Sequence, residues 1–238
     1  MPLHPTIDPA IFALRPDFVA LSLSVEGGRN APSDAVSAAL LADAIAALDA
    51  APWAEGHLEA WREAYRVFGA KPKRTPCSAE ALRKRAVKDG RMRPLNAVVD
   101  LYNAISLQFV IPVGGEDATC YDGRPQLCRA TGGEPFATTA DGQPVVETAD
   151  AGEVIWRDAS GVTCRRWNWR QGPRTQITEG SRDMWFVLER LAPLPIAALE
   201  EAGQVLVLGL RRLAPDLSVS VLLFDAAAPE GRLVSSIS

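Results

Sequence analysis

Histidine is the first limit on chemistry here. The 238 residues contain only two, His4 and His57. A Ser–His or Cys–His nucleophile needs one of them. His4 lies among the first few residues, and His57 falls inside an amphipathic helical pattern that its neighbours already explain, which assigns it to the helix surface. The four cysteines, Cys77, Cys120, Cys128 and Cys164, are spaced 43, 8 and 36 residues apart. No pair has the spacing of a zinc knuckle or a redox motif, so they read as small buried hydrophobes. There is no GxGxxG and no glycine-rich loop ending in Lys-Ser/Thr, which excludes the common nucleotide and dinucleotide sites. Neither a metal nor a cofactor is expected. The remaining residues with chemical reach are Asp100 and Asn103, three apart on a helix edge, and Glu189, near the end of an apolar strand. Taken as residues, Asp100 ties a helix to its preceding loop and Asn103 bonds to backbone within a core. Glu189 needs a partner if buried, and Arg170 or Arg174 would serve. Trp167 and Trp169 either fill core or stack bases.

Charge is uneven. The net charge is −4, yet residues 62–93 hold eleven Lys/Arg against three acids, and residues 157–182 hold six Arg against two. Residues 1–61 are acidic, with two basic residues against eight acids. Two basic segments on one face would concentrate a phosphate-bearing ligand. The expected contacts are Lys73, Arg74, Arg83, Arg85, Arg93, Arg165, Arg170 and Arg174.

The elements that must position these groups follow from periodicity. Phe18–Val25 alternates and ends at Gly27-Gly28, predicting a half-buried strand with Ser22 and Ser24 on its polar face. Ser33 is placed to cap a helix running to about Ala50. A second helix carries Leu58, Trp61, Tyr65 and Phe68 and stops at Gly69. Ser78 is placed to cap a helix closed by Gly90, and Asn96 opens one striped by Val98, Leu101, Ile105 and Phe109. Beyond Ile111 the texture changes to strands and turns: Gln126–Thr131, Val145–Glu147, a hairpin of Glu153–Asp158 with Val162–Trp169, and Met184–Glu189. Pro195 starts a helix through Leu213, and Leu217–Phe224 is a last strand. Helices first and strands in the middle predict an α+β fold, a layered mixed or antiparallel sheet assembly flanked by helices, organised as a single domain over residues 1–238. Nothing approaches the ~18 apolar residues of a membrane span, and no secretory signal opens the chain, so the expected location is cytoplasmic.

The segment Val98-Val99-Asp100, Asn103, Leu107, then Pro112 and Asp117 resembles the VVD–x–x–N–x–x–x–L … P–x–x–x–x–D signature of the B3/4 domain in the β chain of bacterial phenylalanyl-tRNA synthetase. The Ser78–Leu82 helix start, Gly133-Glu134, the hairpin and Val187-Leu188-Glu189 follow in the same order, so the resemblance covers about residues 70–190. It is nearest to free-standing members, through Trp167-Asn168-Trp169-Arg170-Gln171. The resemblance implies a domain that hydrolyses tRNA charged with the wrong amino acid, mainly tyrosine. It makes Asn103 a pocket residue and Glu189 the glutamate that recognises the tyrosine hydroxyl. Gly114 stands where the family has its pocket histidine, and Trp167–Gly172 replace the family's glycine-rich pocket loop. A pocket between the signature helix and the sheet is therefore expected, widened at Gly114. An activated ester can be hydrolysed by positioning and polar stabilisation without a histidine base. Three functions follow: an editing hydrolase of mischarged aminoacyl-tRNA, a non-catalytic binding module for RNA or an amino-acid-like small molecule, and an interaction scaffold.

Overall fold

The computed structural model describes residues 2–234. Among these residues six α-helices and twelve strands follow in the order β1 (Thr6–Ile7), α1 (Pro9–Leu14), β2 (Val19–Glu26), α2 (Ala35–Ala46), α3 (Ala54–Val67), α4 (Ser78–Asp89), α5 (Ala97–Phe109), β3 (Val113–Asp117), β4 (Gln126–Arg129), β5 (Pro135–Ala140), β6 (Gln143–Thr148), β7 (Val154–Asp158), β8 (Gly161–Arg165), β9 (Arg170–Gln171), β10 (Met184–Arg190), α6 (Ile196–Leu213), β11 (Ser218–Asp225) and β12 (Ala228–Leu233). The class is α+β, as the order of the patterns predicts.

The strands form two five-stranded sheets and one hairpin. The first sheet runs β12-β11-β2-β10-β3 and is antiparallel throughout; the second runs β1-β4-β7-β8-β9, with only β1 and β4 parallel; β5 and β6 pair separately. Because side chains alternate along a strand, β10 divides its residues between two cores. Phe186 and Leu188 join Leu21 and Leu23 of β2 under α5 and α6. Trp185 and Val187 face the other way, toward Trp156 of β7, Cys164 of β8 and the α3 residues Trp61 and Tyr65. The order is thus α5 and α6, first sheet, second sheet, with α1 and α3 packed on the core that the two sheets share. In the helical layer, α6 approaches α5 closely at Gly209, where a Cβ would stand 2.5 Å from the Leu101 side chain. On another flank of α5, Ala104 and Leu107 pack with Leu41 of α2 and Ala86 of α4.

Local chemistry explains the boundaries and corrects several expectations. Asn96 caps α5 as predicted, its Oδ1 accepting from Val99 N at 2.9 Å, and Gly90 closes α4 in the left-handed conformation, at φ +63°. The cap of α2 is Asp34, not Ser33: Asp34 and Ser37 form a reciprocal capping box, while the Ser33 hydroxyl donates to Asp100. Asp100 also accepts from Leu95 N at 2.9 Å, so it ties α5 to its preceding loop. Ser78 is the first residue of α4 rather than its cap, and its Oγ is buried without a partner. The strand β2 is buried on both faces, because the second sheet covers Ser22 and Ser24. Ser22 accepts from Trp185 Nε1 at 2.8 Å, and Ser24 from Leu3 N at 2.8 Å. His57 is also fully buried, not on the helix surface. Cys77 and Cys164 are buried, but Cys120 is exposed.

Candidate functional site

Glu189 lies on β10 opposite Ala20 of β2 and is 1% exposed. Its partners are not arginines. Trp156 Nε1 donates to Oε1 at 3.1 Å, and Asn168 Nδ2 donates to Oε2 at 2.8 Å. Arg170 reaches Thr139 O and Glu147 instead, and Arg174 forms a two-pronged pair with Asp158. Burial pushes the Glu189 carboxyl up to about 7 against the hydrogen bonds that favour its charge. A second buried acid, Glu116 on β3, accepts from the Tyr121 hydroxyl at 2.6 Å, and burial pushes it to about 7 as well.

Asn103 and Glu189 do not meet. The helix α5 packs on the first sheet's helical face, where Tyr102 sets its ring edge-on to Phe186, centroids 6.3 Å apart. Glu189 emerges on the opposite face, toward Trp156. The sheet itself stands between the two residues, so Asn103 and Glu189 do not line one pocket. Gly114 pairs with Val187, and a Cβ there would sit 3.2 Å from Val187 Cγ1. That places Gly114 on the Glu189 face, where it is half-buried and Val187 is the one residue beyond its chain neighbours within 4 Å of such a Cβ.

The turn after β8 departs most from expectation. The strand stops at Arg165, and Arg166 and Trp167 both take positive φ, +47° and +67°. This rotation buries Trp167 among Phe18, Trp61 and Phe68, at centroid distances of 5.0, 5.2 and 6.3 Å. Trp169 emerges half-buried, with the Arg166 guanidinium 4.5 Å above its ring. The two tryptophans therefore do not share a strand face.

An open cleft of about 700 Å³ lies beside that turn, walled by Phe68, Lys71, Arg74, Asp150, Arg166 and Trp169. At its back is Arg165, only 3% exposed, whose guanidinium grips Glu153 at 2.7 and 2.8 Å and Glu147 at 3.1 Å. Burial works against the charge of Glu153, but Arg165 and the Arg166 N–H outweigh it and hold the carboxyl below its usual range. Arg165 is consequently spent inside the protein and is not a surface contact. Arg83 is engaged by Asp49 and Leu48 O. Of the eight expected phosphate contacts, Lys73, Arg74, Arg85 and Arg93 are exposed, and no ion pair engages them among the described residues. Lys71 shares that condition and lines the cleft with Arg74. Sequence reasoning placed Lys71 in the basic run but not at a site, and it missed Phe68, Asp150 and Arg166, whose convergence comes only from the tertiary fold.

The cleft offers free cations for an anion and an apolar floor for a ring or side chain, while its carboxylates Glu147, Asp150 and Glu153 are engaged by Arg165, Arg166 and Arg170. Its walls hold no Ser, Cys or His beside a base, so any reaction there proceeds by orientation and polar stabilisation. Among the described residues no group of three or more His, Cys, Asp or Glu is arranged to hold a metal, and no helix is long and apolar enough to cross a membrane.

No curated protein sequence matches the chain. Among solved structures it is similar to an N-terminal fragment of the phenylalanyl-tRNA synthetase β-subunit from Pyrococcus horikoshii, with 13% identity and a TM-score of 0.45 over 92% of this chain. The chain spans about half of that fragment, 51% of its length. The B3/4 domain family matches residues 60–203, a stretch that contains α4, α5, both carboxylates and the cleft-forming turn; the chain belongs to the B3/4 domain family.

Proposed function

We propose that this B3/4 protein binds tRNA and hydrolyses the ester of a wrongly attached amino acid, with the cleft beside Trp169 receiving the aminoacyl end. The observation that carries the reading is the coincidence of unpaired cations with the cleft. Lys71 and Arg74 form its rim and Lys73 flanks them, and these side chains keep their charge available for phosphates. Arg85 and Arg93 extend the exposed positive surface along α4 and the loop after it. The cleft is also large enough for an amino acid and part of a ribose. An aminoacyl ester is already activated, so a wall without a nucleophile suffices if water and carbonyl are aligned.

In this reading the substrate contact passes from Asn103 to the cleft residues, because one ligand cannot touch both faces of the first sheet. Glu189 and the neighbouring Gly114 lie behind the cleft, screened by Trp167 and Asn168. That closure favours a second reading, in which the protein binds an aminoacyl or RNA end without hydrolysing it. Filter binding of tRNA across a salt series, paired with release of radiolabelled amino acid from a panel of mischarged tRNAs, separates the two. Salt-sensitive binding with accelerated release supports the hydrolase. Binding without release leaves the binding module, and no binding at any salt removes both.

A further inference from the structure

The turn that follows β8 builds a cationic shelf on one wall of the cleft. The Arg166 guanidinium lies 4.5 Å above the Trp169 ring, and both side chains line the opening. Trp169 is half-buried against the core that the two sheets share, which fixes the ring. Asp150 stands at the edge of the shelf, its Oδ2 3.7 Å from Arg166 Nη2 and 3.6 Å from Arg165 Nη2. Both distances are too long for a hydrogen bond. Its side chain is 79% exposed, so this carboxylate keeps its acceptor sites open to a donor. On the rim of the same cleft, Lys71 and Arg74 are exposed and carry no ion pair among the described residues. A shelf, an open acceptor and free cations thus converge on one opening.

We infer that the cleft is a site for a single nucleotide, a base joined through ribose to a 5′-phosphate, with preference for a base that carries an exocyclic amino group. The base stacks on the Arg166–Trp169 shelf, where guanidinium and ring both favour a flat π-system. Its amino group donates to Asp150. The phosphate turns to Lys71 and Arg74, away from the acidic wall of Glu147 and Asp150. Such a site does not require ester hydrolysis, and it rests on the reading above only in the choice of cleft. A free nucleotide and the unpaired end of a strand offer the same chemistry. Cytosine and uracil give the sharpest comparison, since they are alike in size and differ where cytosine has an amino group and uracil a carbonyl oxygen. A carboxylate accepts from the first and repels the second.

The test uses the full chain labelled with 5-fluorotryptophan and observed by fluorine NMR, with Trp169→Phe to assign the resonance. The probes are cytidine 5′-monophosphate, uridine 5′-monophosphate, cytidine and inorganic phosphate. The cytidine nucleotide shifts the Trp169 resonance while those of the fully buried Trp61 and Trp185 hold. It binds roughly tenfold or more tightly than cytidine or phosphate alone, and about threefold or more tightly than the uridine nucleotide. Asp150→Ala abolishes the preference between the two nucleotides. Joint replacement of Lys71 and Arg74 by alanine lowers the cytidine nucleotide to the affinity of cytidine. A cytidylate pentamer bound more tightly than the mononucleotide identifies a strand end as the source, and equal affinity identifies the free nucleotide. The proposal is overturned by a Trp169 resonance unmoved by the cytidine nucleotide, by equal affinity for nucleotide and phosphate, by equal affinity for the two nucleotides, or by a cytosine preference that survives Asp150→Ala. If Trp169→Phe does not fold, titration calorimetry with the same four probes decides. Absence of tRNA binding would overturn the functional reading above while leaving the nucleotide measurements standing.

Discussion

Asn168 joins Glu189 to Tyr65: its Nδ2 donates to Glu189 Oε2 at 2.8 Å, and its Oδ1 accepts from the Tyr65 hydroxyl at 2.8 Å. One amide thereby satisfies a carboxylate on β10 and a phenol on α3. With Asn168 in place neither partner is solvated, Tyr65 being 0% and Glu189 1% exposed.

Asn168→Ala therefore strands two buried groups at once. The expected loss is about 2–3 kcal/mol, against about 1 kcal/mol for Tyr65→Phe, which removes a donor without leaving a charge unpaired. Asn168→Asp is expected to be worse than alanine, since it sets a second carboxylate against Glu189. Urea denaturation of the three variants checks the ranking. Losses of surface-mutation size throughout would show that the bridge contributes nothing.

The two buried carboxylates give stability a pH dependence near neutrality. Burial places Glu189 and Glu116 at about 7 in the folded chain, above the ~4.3 of an exposed glutamate. The folded state then holds protons that the unfolded state has released, so stability falls as pH rises from about 4.5 to about 7 and is flat above. Each group accounts for roughly 3 kcal/mol of that fall. His57 acts in the opposite direction. Burial depresses it to about 4, and its contribution is lost as pH falls from about 6.5 to about 4. The difference between the unaltered protein and Glu189→Gln isolates the glutamate. The variant's stability curve, measured by denaturation from pH 4.5 to 8, should lack one such component. Parallel curves would place Glu189 at an ordinary carboxylate pKa.

His57 is expected to be essential to the fold and irrelevant to chemistry. Its Nε2 accepts from Trp61 Nε1 and from Leu191 N, both at 3.1 Å, so the proton sits on Nδ1 and is donated to Val110 O at 2.8 Å. One ring thus links α3, the end of α5 and the chain after β10. His57→Ala should lower stability by about 3–4 kcal/mol through the groups it orphans, and His57→Gln should recover part of it. Folded His57→Gln should bind tRNA as the unaltered chain does. A binding defect at full folding would return His57 to the functional surface.

What the sequence disclosed about this molecule depended on range. The cap at Asn96 and the stripe of Val98, Leu101, Ile105 and Phe109 are local patterns, and α5 forms where they predict. The burial of Ser22 and Ser24 depends on partners from outside the strand, the Trp185 indole on Ser22 and the Leu3 N–H on Ser24, which alternation within β2 cannot reveal. The turn at Arg166–Trp167 lacks glycine or asparagine at its left-handed positions, so nothing local announced that β8 ends at Arg165. Glu189 invited an arginine partner by charge, but cross-sheet geometry supplied Trp156 and Asn168. Asn103 and Glu189 share a plausible chemistry and were separated only by the alternation of β10, which sends Glu189 away from α5. The cleft was the least legible feature, because Phe68, Asp150 and Trp169 converge only once α3, β6 and the β8–β9 turn are in place.

The arginines and lysines of the two basic segments should divide into two classes that a pair of measurements separates. Arg165 is 3% exposed and holds Glu153, itself 3% exposed, along with Glu147. Removing it leaves buried carboxylate charge without its partner, a change that costs about 3–5 kcal/mol. Arg165→Ala should therefore unfold at much lower denaturant, while any folded fraction keeps the salt dependence of tRNA binding. Lys71, Lys73 and Arg74 are exposed and engage no acid among the described residues. Their joint replacement by alanine should leave stability within about 0.5 kcal/mol. If each meets one phosphate, the slope of log affinity against log salt should flatten by about 2–3, and affinity should drop most at low salt. Arg174, committed to Asp158 at 2.7 and 2.8 Å, belongs with Arg165 in this division, its loss felt in folding more than in binding. An unchanged slope in the triple variant, with a reduced slope in Arg174→Ala, would move the RNA surface from the cleft rim to the far end of the second sheet.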